Sequence, residues 1–232
     1  MAWSQFRHSD LLYKLMKQIL RPIYGLMLLG FAIAAPALPT SGPSGVAQAA
    51  TPEAAPVEGL DAALISAMKA GSAKQSFASR YQALDAAVKS AYDIPMVTQN
   101  SVGFLWSTLP AGQQAELTDL FEQFTTSSYA AEFSAYGGEQ LNVLPAEKNL
   151  GTKKIVETQL IPGGGGSPTE LDYVVNNTPQ GWRITDVLLN GTISQVAVHE
   201  SDFASLVSGG DASQLIAALK TKIAALQAGP SS

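Results

Sequence analysis

Residues 169–189 read TELDYVVNNTPQGWRITDVLL, and here the chain carries a period of two. Leu171, Tyr173 and Val175 point one way while Asp172 points the other, the pattern of a strand with one apolar face. A second run, rich in β-branched and aromatic residues, opens at Gly181-Trp182 and continues to Val198. It reads as two strands turned at Asn190-Gly191, a dipeptide suited to a hairpin. Upstream, Gln140 to Leu144 and Thr152 to Ile161 have the same character. Gly163–Gly166 with Ser167-Pro168 is a flexible hairpin connection; no Gly-Lys-Ser/Thr follows, so it is not a phosphate loop.

Outside this block the period is helical. Leu60, Leu64, Ile65 and Met68 share a face that Gly71 ends, and Thr51–Glu58 before it, rich in Pro and Ala, reads as a flexible leader. Phe77, Tyr81, Leu84 and Val88 recur at four, three and four, one amphipathic stripe. Asp93-Ile94-Pro95 breaks that helix, because proline disfavours helix in the residue before it. A shorter helix is expected around Val97 to Ser107, carrying Phe104 and Trp106. Pro110 suits the first turn of a long one, with Leu117, Leu120, Phe121, Phe124, Tyr129, Phe133 and Tyr136 on its face and Gly137-Gly138 as its stop. Asp211 and Gln214 stand in capping-box spacing before Leu215, Ile216, Leu219, Ile223 and Leu226. Helices, an antiparallel meander and a closing helix give an α+β class without internal repeats.

The N-terminus predicts export. Arg7, Lys14, Lys17 and Arg21 precede an apolar run from Ile23 to Leu38, and a Pro/Gly/Ser stretch ends in Ala47-Gln48-Ala49. That order is a secretory signal cleaved after Ala49; a retained anchor needs about 20 apolar residues, more than this run supplies. Met16-Lys17 would make a more ordinary start. Removing residues 1–49 leaves 183 of 232 residues and takes four of 14 basic and one of 19 acidic residues, so the net charge falls from −5 to −8. Such a chain is long enough for one domain, 60–228, behind a leader at 50–59. Its negative charge argues against nucleic acid and anionic membranes as electrostatic partners. With no cysteine, an exported fold is held by its core alone, and no lipoprotein anchor is expected.

Catalytic signals are weak. His8 lies in the signal, leaving His199 as the one mature histidine. His199-Glu200-Ser201-Asp202 lacks the second histidine of a zinc helix; it sits at an expected strand-to-helix junction, where Ser201 or Asp202 would cap. No G-x-S-x-G elbow exists, and the usual nucleophile–base pairs are missing. Asp93 and Asp186, beside apolar residues, are the carboxylates an acid–base enzyme would use. Asn190-Gly191-Thr192 fits a glycosylation sequon as well as a turn. The stronger signal is apolar excess: Phe104, Trp106, Phe121, Phe124, Tyr129 and Phe133 from the helices, and Val156, Leu160, Leu171, Tyr173, Val175, Trp182 and Ile184 from the sheet. Periodicity does not distinguish a filled core from a hollow one.

Several of these stretches resemble the MlaC-like family of periplasmic lipid carriers, auxiliary components of lipid ABC transporters also called toluene-tolerance proteins. Val102-Gly103 with Trp106, Gln113-Gln114 leading to Phe121, and Tyr129-Ala130 resemble its helical half. Gly181-Trp182-Arg183-Ile184-Thr185-Asp186-Val187, Gly191-Thr192-Ile193-Ser194-Gln195-Val196-Ala197, Ser201-Asp202-Phe203, Gly209-Gly210 and Leu215-Ile216 with Leu219 follow in family order. The likeness runs from Phe77 to Ile223, and its Thr-Ile-Ser-Gln form looks closest to the hopanoid-associated, HpnM-like branch. Two positions depart: His199-Glu200 stand where the family often has a basic residue, and Asn190-Gly191 where it has an acid–glycine turn.

The resemblance implies helices packed on a strongly curved antiparallel sheet, with lipid tails between the layers and no cofactor. It implies a phospholipid or hopanoid cargo, an inner-membrane ABC transporter with an MCE-domain component, and an outer-membrane lipoprotein complex as exchange partner. The residues expected to line the pocket are Phe104, Phe121, Phe124, Tyr129, Val156, Leu160, Tyr173, Val175, Trp182 and Ile184. Two other readings stay open: an envelope interaction module with a filled core, and a carboxylate hydrolase or isomerase acting on a lipid.

Overall fold

The computed structural model of the chain describes residues 51–229; the expected signal at 1–49 lies outside them. Helix α1 spans Ala55–Ser72, so the segment read as a leader is structured. Its Pro56 falls in the first turn, where the missing N–H costs nothing, and Val57 is wholly buried. Helix α2, Phe77–Ala91, is capped by the Ser76 hydroxyl, which accepts from the Ser79 amide. Helix α3, Ile94–Val102, is capped by Asp93, whose carboxylate accepts the Met96 amide at 3.1 Å. That capping role accounts for Asp93, one of the carboxylates considered for catalysis.

The helix expected to run from Val97 to Ser107 stops at Val102. Gly103 has φ +69°, a left-handed conformation that glycine tolerates, and a 3₁₀ segment follows over Gly103–Thr108. Helix α4, Ala111–Glu132, then crosses the molecule.

Five strands follow as a sequential antiparallel meander, β1 Gln140–Leu150, β2 Lys153–Ile161, β3 Thr169–Thr178, β4 Gly181–Leu189 and β5 Ile193–Ser194. The register breaks between Val143 and Glu147 on β1, and between Val174 and Val175 against β4. Such bulges bend a strand and raise its twist, which curves the sheet around the helical layer. Tyr173 pairs with Val156 on one side and Val187 on the other. Gly163 in the β2–β3 connection abuts Gly137, where an added Cβ would lie 2.0 Å from the carbonyl oxygen. Glycine there is a packing requirement.

The strand expected to reach Val198 ends at Ser194, and Gln195–Phe203 form helix α5. The Ser194 hydroxyl accepts the Ala197 amide at 3.0 Å, and the Asp186 carboxylate accepts the Val196 amide at 3.1 Å. Two of the orphan donors of a first turn are thereby satisfied, which overrides the β preference of Val196 and Val198. Ser201 and Asp202 are therefore inside a helix and cap nothing at its start.

Helix α6, Ser213–Ala228, closes the chain against α4. Its start is fastened from outside: the Gln113 side-chain carbonyl of α4 accepts the Ala212 amide at 2.8 Å, and its amide donates to Asp211 at 2.6 Å. Asp211 also accepts the Ser213 amide at 3.1 Å, so the expected pairing with Gln214 gives way to this cross-helix one. Among the described residues no helix is long and apolar enough to cross a membrane.

A candidate lipid cavity between helices and sheet

The α4–α5 end of the helical layer does not close on the sheet. Phe121, Phe124, Thr125, Ser128, Tyr129, Glu132 and Phe133 of α4 and its end form one wall. Leu171 and Tyr173 of β3, with Asp186 and Val187 of β4, form the floor, and Gln195, Val196 and His199 of α5 form the opposite wall. Tyr92 and Val97 close the α2–α3 end. The cavity volume is about 100 Å³. It is a narrow apolar cleft.

Four residues expected at the pocket line it: Phe121, Phe124, Tyr129 and Tyr173. Val156, Leu160, Val175 and Ile184 are buried at 2 % exposure or less in the filled core and do not reach it. They face the helices, but α1 covers that part of the sheet directly. Trp182 is partly buried at the core margin, with the Lys154 ammonium 5.7 Å from its ring centre. Phe104 is 82 % exposed: the tight 3₁₀ turn after Gly103 sends it outward, where a continued α-helix would have placed it differently.

The structure adds His199, which the sequence places at a strand-to-helix junction and does not count among the pocket residues. Its ring stacks on Phe203 at 5.4 Å, with Phe121 and Phe124 edge-on at 5.4 and 5.8 Å. The surface it retains faces the cleft, and burial pushes the imidazole pKa down to about 4. It is a neutral, ring-shaped wall residue at neutral pH. Val196, His199 and Phe203 recur at three and four, a helical signal that the strand reading of this stretch concealed.

Polar groups lie in and beside the cleft. The Tyr92 and Tyr129 hydroxyls are hydrogen-bonded to one another. Burial pushes Asp61 of α1 up to about 7, opposed by the nearby Tyr173 hydroxyl and helped by the charge of Glu58. Both Asp61 oxygens are buried without a partner in hydrogen-bond geometry, although the Tyr173 hydroxyl is near. Asp186 is engaged by the Ser194 hydroxyl at 2.5 Å and the Val187 amide at 2.8 Å besides Val196. It fastens β5 and α5 to β4. Among the described residues no group of three or more His, Asp or Glu is placed to hold a metal ion.

A family model described as MlaC protein matches residues 58–221, a span that contains every wall of the cleft. The chain belongs to the MlaC family. A solved phospholipid-binding protein from Ralstonia solanacearum, determined in complex with a phospholipid, is 21 % identical and superposes with a TM-score of 0.62 over 75 % of this chain and 98 % of that one. This MlaC-family chain therefore shares its fold. No curated protein matches.

Proposed function

We propose that this MlaC-family protein is a periplasmic lipid carrier that shields the tails of a phospholipid in the α4–α5 cleft and performs no chemical step. The observation that carries the reading is the cleft itself, an apolar gap between the helical layer and the sheet. The solved relative's phospholipid complex supports the choice of cargo. A hopanoid is the alternative cargo, which the same cleft would take only by widening for a rigid polycycle.

The energetics explain why such a device is needed. Exposing a methylene to water costs ~0.8 kcal/mol, so about 30 acyl methylenes cost on the order of 24 kcal/mol. Unassisted passage through an aqueous compartment is then negligible, and a carrier needs only apolar walls. Loading widens the cleft by moving α5, a nine-residue helix held to β4 through Asp186, away from α4. The donor and acceptor complexes are an inner-membrane ABC transporter with an MCE-domain component and an outer-membrane lipoprotein complex.

Native mass spectrometry of mature protein, purified from the periplasm without detergent, tests this reading. One phospholipid per chain is the expected result, and Val196→Trp, which fills the mouth, should reduce that occupancy. A bare mass that persists after incubation with phospholipid and hopanoid vesicles would overturn the carrier and leave the interaction module.

A further inference from the structure

Most of the polar groups lining the cleft already have partners. The Thr125 hydroxyl donates to the Phe121 carbonyl at 2.8 Å, and the Tyr92 and Tyr129 hydroxyls bond to one another. Asp186 accepts from the Ser194 hydroxyl and from the Val187 and Val196 amides. Two neutral side chains on the α5 wall differ: Gln195 Oε1 and His199 Nδ1 are both buried without a hydrogen-bond partner. Gln195 is 7 % exposed, and its Nε2 donates to the Ile193 carbonyl at 3.2 Å. That bond fixes the orientation of the amide, so its open end is an acceptor. The His199 ring is held by its neighbours, stacked on Phe203 with Phe121 and Phe124 edge-on. Residues four apart are neighbours on one face of a helix. A buried acceptor and a buried ring nitrogen therefore sit one turn apart in an apolar wall, each left at a cost until a partner arrives.

We propose that Gln195 and His199 form a hydroxyl-binding subsite, which favours lipids that carry a free hydroxyl on their backbone beside the apolar chain. The inference rests on the carrier reading and names a cargo class for it. A hydroxyl both donates and accepts. Its hydrogen goes to Gln195 Oε1, and its oxygen accepts from His199 in the tautomer that carries the proton on Nδ1. An ester carbonyl or an ether oxygen only accepts, so it satisfies His199 and leaves Gln195 unpaired. The movement of α5 that loading requires brings this face of the helix against the lipid. The rings of Phe121 and Phe124 keep water from competing, which strengthens each hydrogen bond made there.

The test uses two single-chain lipids that differ at one oxygen: 1-O-octadecyl-glycerophosphocholine with its 2-hydroxyl free, and the same lipid with that hydroxyl methylated. The lipid-free mature chain is offered both at equal concentration, below micelle formation, and native mass spectrometry reads the ratio bound. The free-hydroxyl lipid should exceed the methyl ether by on the order of tenfold, the effect of leaving one buried acceptor unpaired. Gln195→Met keeps the length of the side chain without the acceptor and should bring the ratio close to unity. His199→Phe keeps the ring without the nitrogen and should reduce it. An even ratio in the wild type, or binding of a diacyl phospholipid but of neither probe, overturns the subsite while leaving the carrier intact. A wild-type preference that both variants retain overturns it too, and assigns the preference to the bulk of the methyl group. Uptake of none of the three lipids brings down the carrier reading, and this inference with it.

Discussion

The core around Leu60 and Leu64 of α1 and the interior under α4–α5 are built on the same sheet from apolar side chains, yet the first is filled and the second hollow. Under α1 the contacts are aliphatic: Leu60 and Leu64 meet a sheet face carrying Val156, Val175 and Ile184, all essentially inaccessible. Under α4 the walls are rings. Phe121 meets Phe124 at 5.8 Å and Phe203 at 6.2 Å, and Tyr129 meets Phe133 at 5.8 Å, all edge-to-face. Branched aliphatic chains interdigitate to native density. Flat rings in edge contact hold one another at fixed spacing, and the Tyr92–Tyr129 hydroxyl pair must keep its hydrogen bond. The difference teaches that a cavity is kept open by rigid groups that brace each other, even where the total apolar content matches that of a packed core.

The largest expected effect sharpens this contrast directly. Ile184→Ala, in the filled half, should lower unfolding free energy by about 4 kcal/mol, whereas Val187→Ala at the cleft should cost about 1 kcal/mol. Urea unfolding measures both, and equal losses would mean the cleft side is as tightly packed as the core.

Charge separates the two regions as well. Asp61, on the α1 side, has its folded pKa raised to about 7. The folded state therefore favours the protonated carboxyl, and stability declines as pH rises from the unfolded value near 4 through 7. Asp61→Asn should raise stability at pH 8 by about 2–4 kcal/mol. His199, on the α5 side, has its pKa lowered to about 4. Here the unfolded chain takes the proton first, so stability is full above about 6.5 and declines as pH falls towards 4. His199→Phe should recover about 2 kcal/mol at pH 5 and almost nothing at pH 8. Thermal unfolding across pH 4–8 reads both; a His199→Phe gain that is independent of pH would assign the effect to packing.

The smallest expected effect lies outside both regions. Phe104→Ala should change stability by less than about 0.5 kcal/mol and leave bound lipid at wild-type occupancy, since the ring is exposed and away from the cleft. Lost occupancy would place Phe104 in the transfer process after all.

How much was legible varied by element. The helical stripes of α2, α4 and α6 and the strands β2, β3 and β4 declare themselves, because each buries one face along a regular period. The errors fall where a distant partner decides. Gln195 to Val198 carries β-branched residues and reads as strand, yet Asp186 and Ser194 cap the helix Gln195–Phe203 there. Thr51–Glu58 reads as a leader, yet Val57 packs into the core. Of the candidate pocket residues, those on α4 and Tyr173 reach the cleft, while Phe104 was misplaced by a single left-handed glycine.

The sequence by itself determined the α+β class, the family, the sheet's inward face and the lack of disulfides, because these follow from local periodicity and residue identity. Only the tertiary structure decided where the interior is hollow. Whether a buried ring fills space or braces a gap depends on the distance and angle between elements far apart in the chain, and no periodicity encodes that distance.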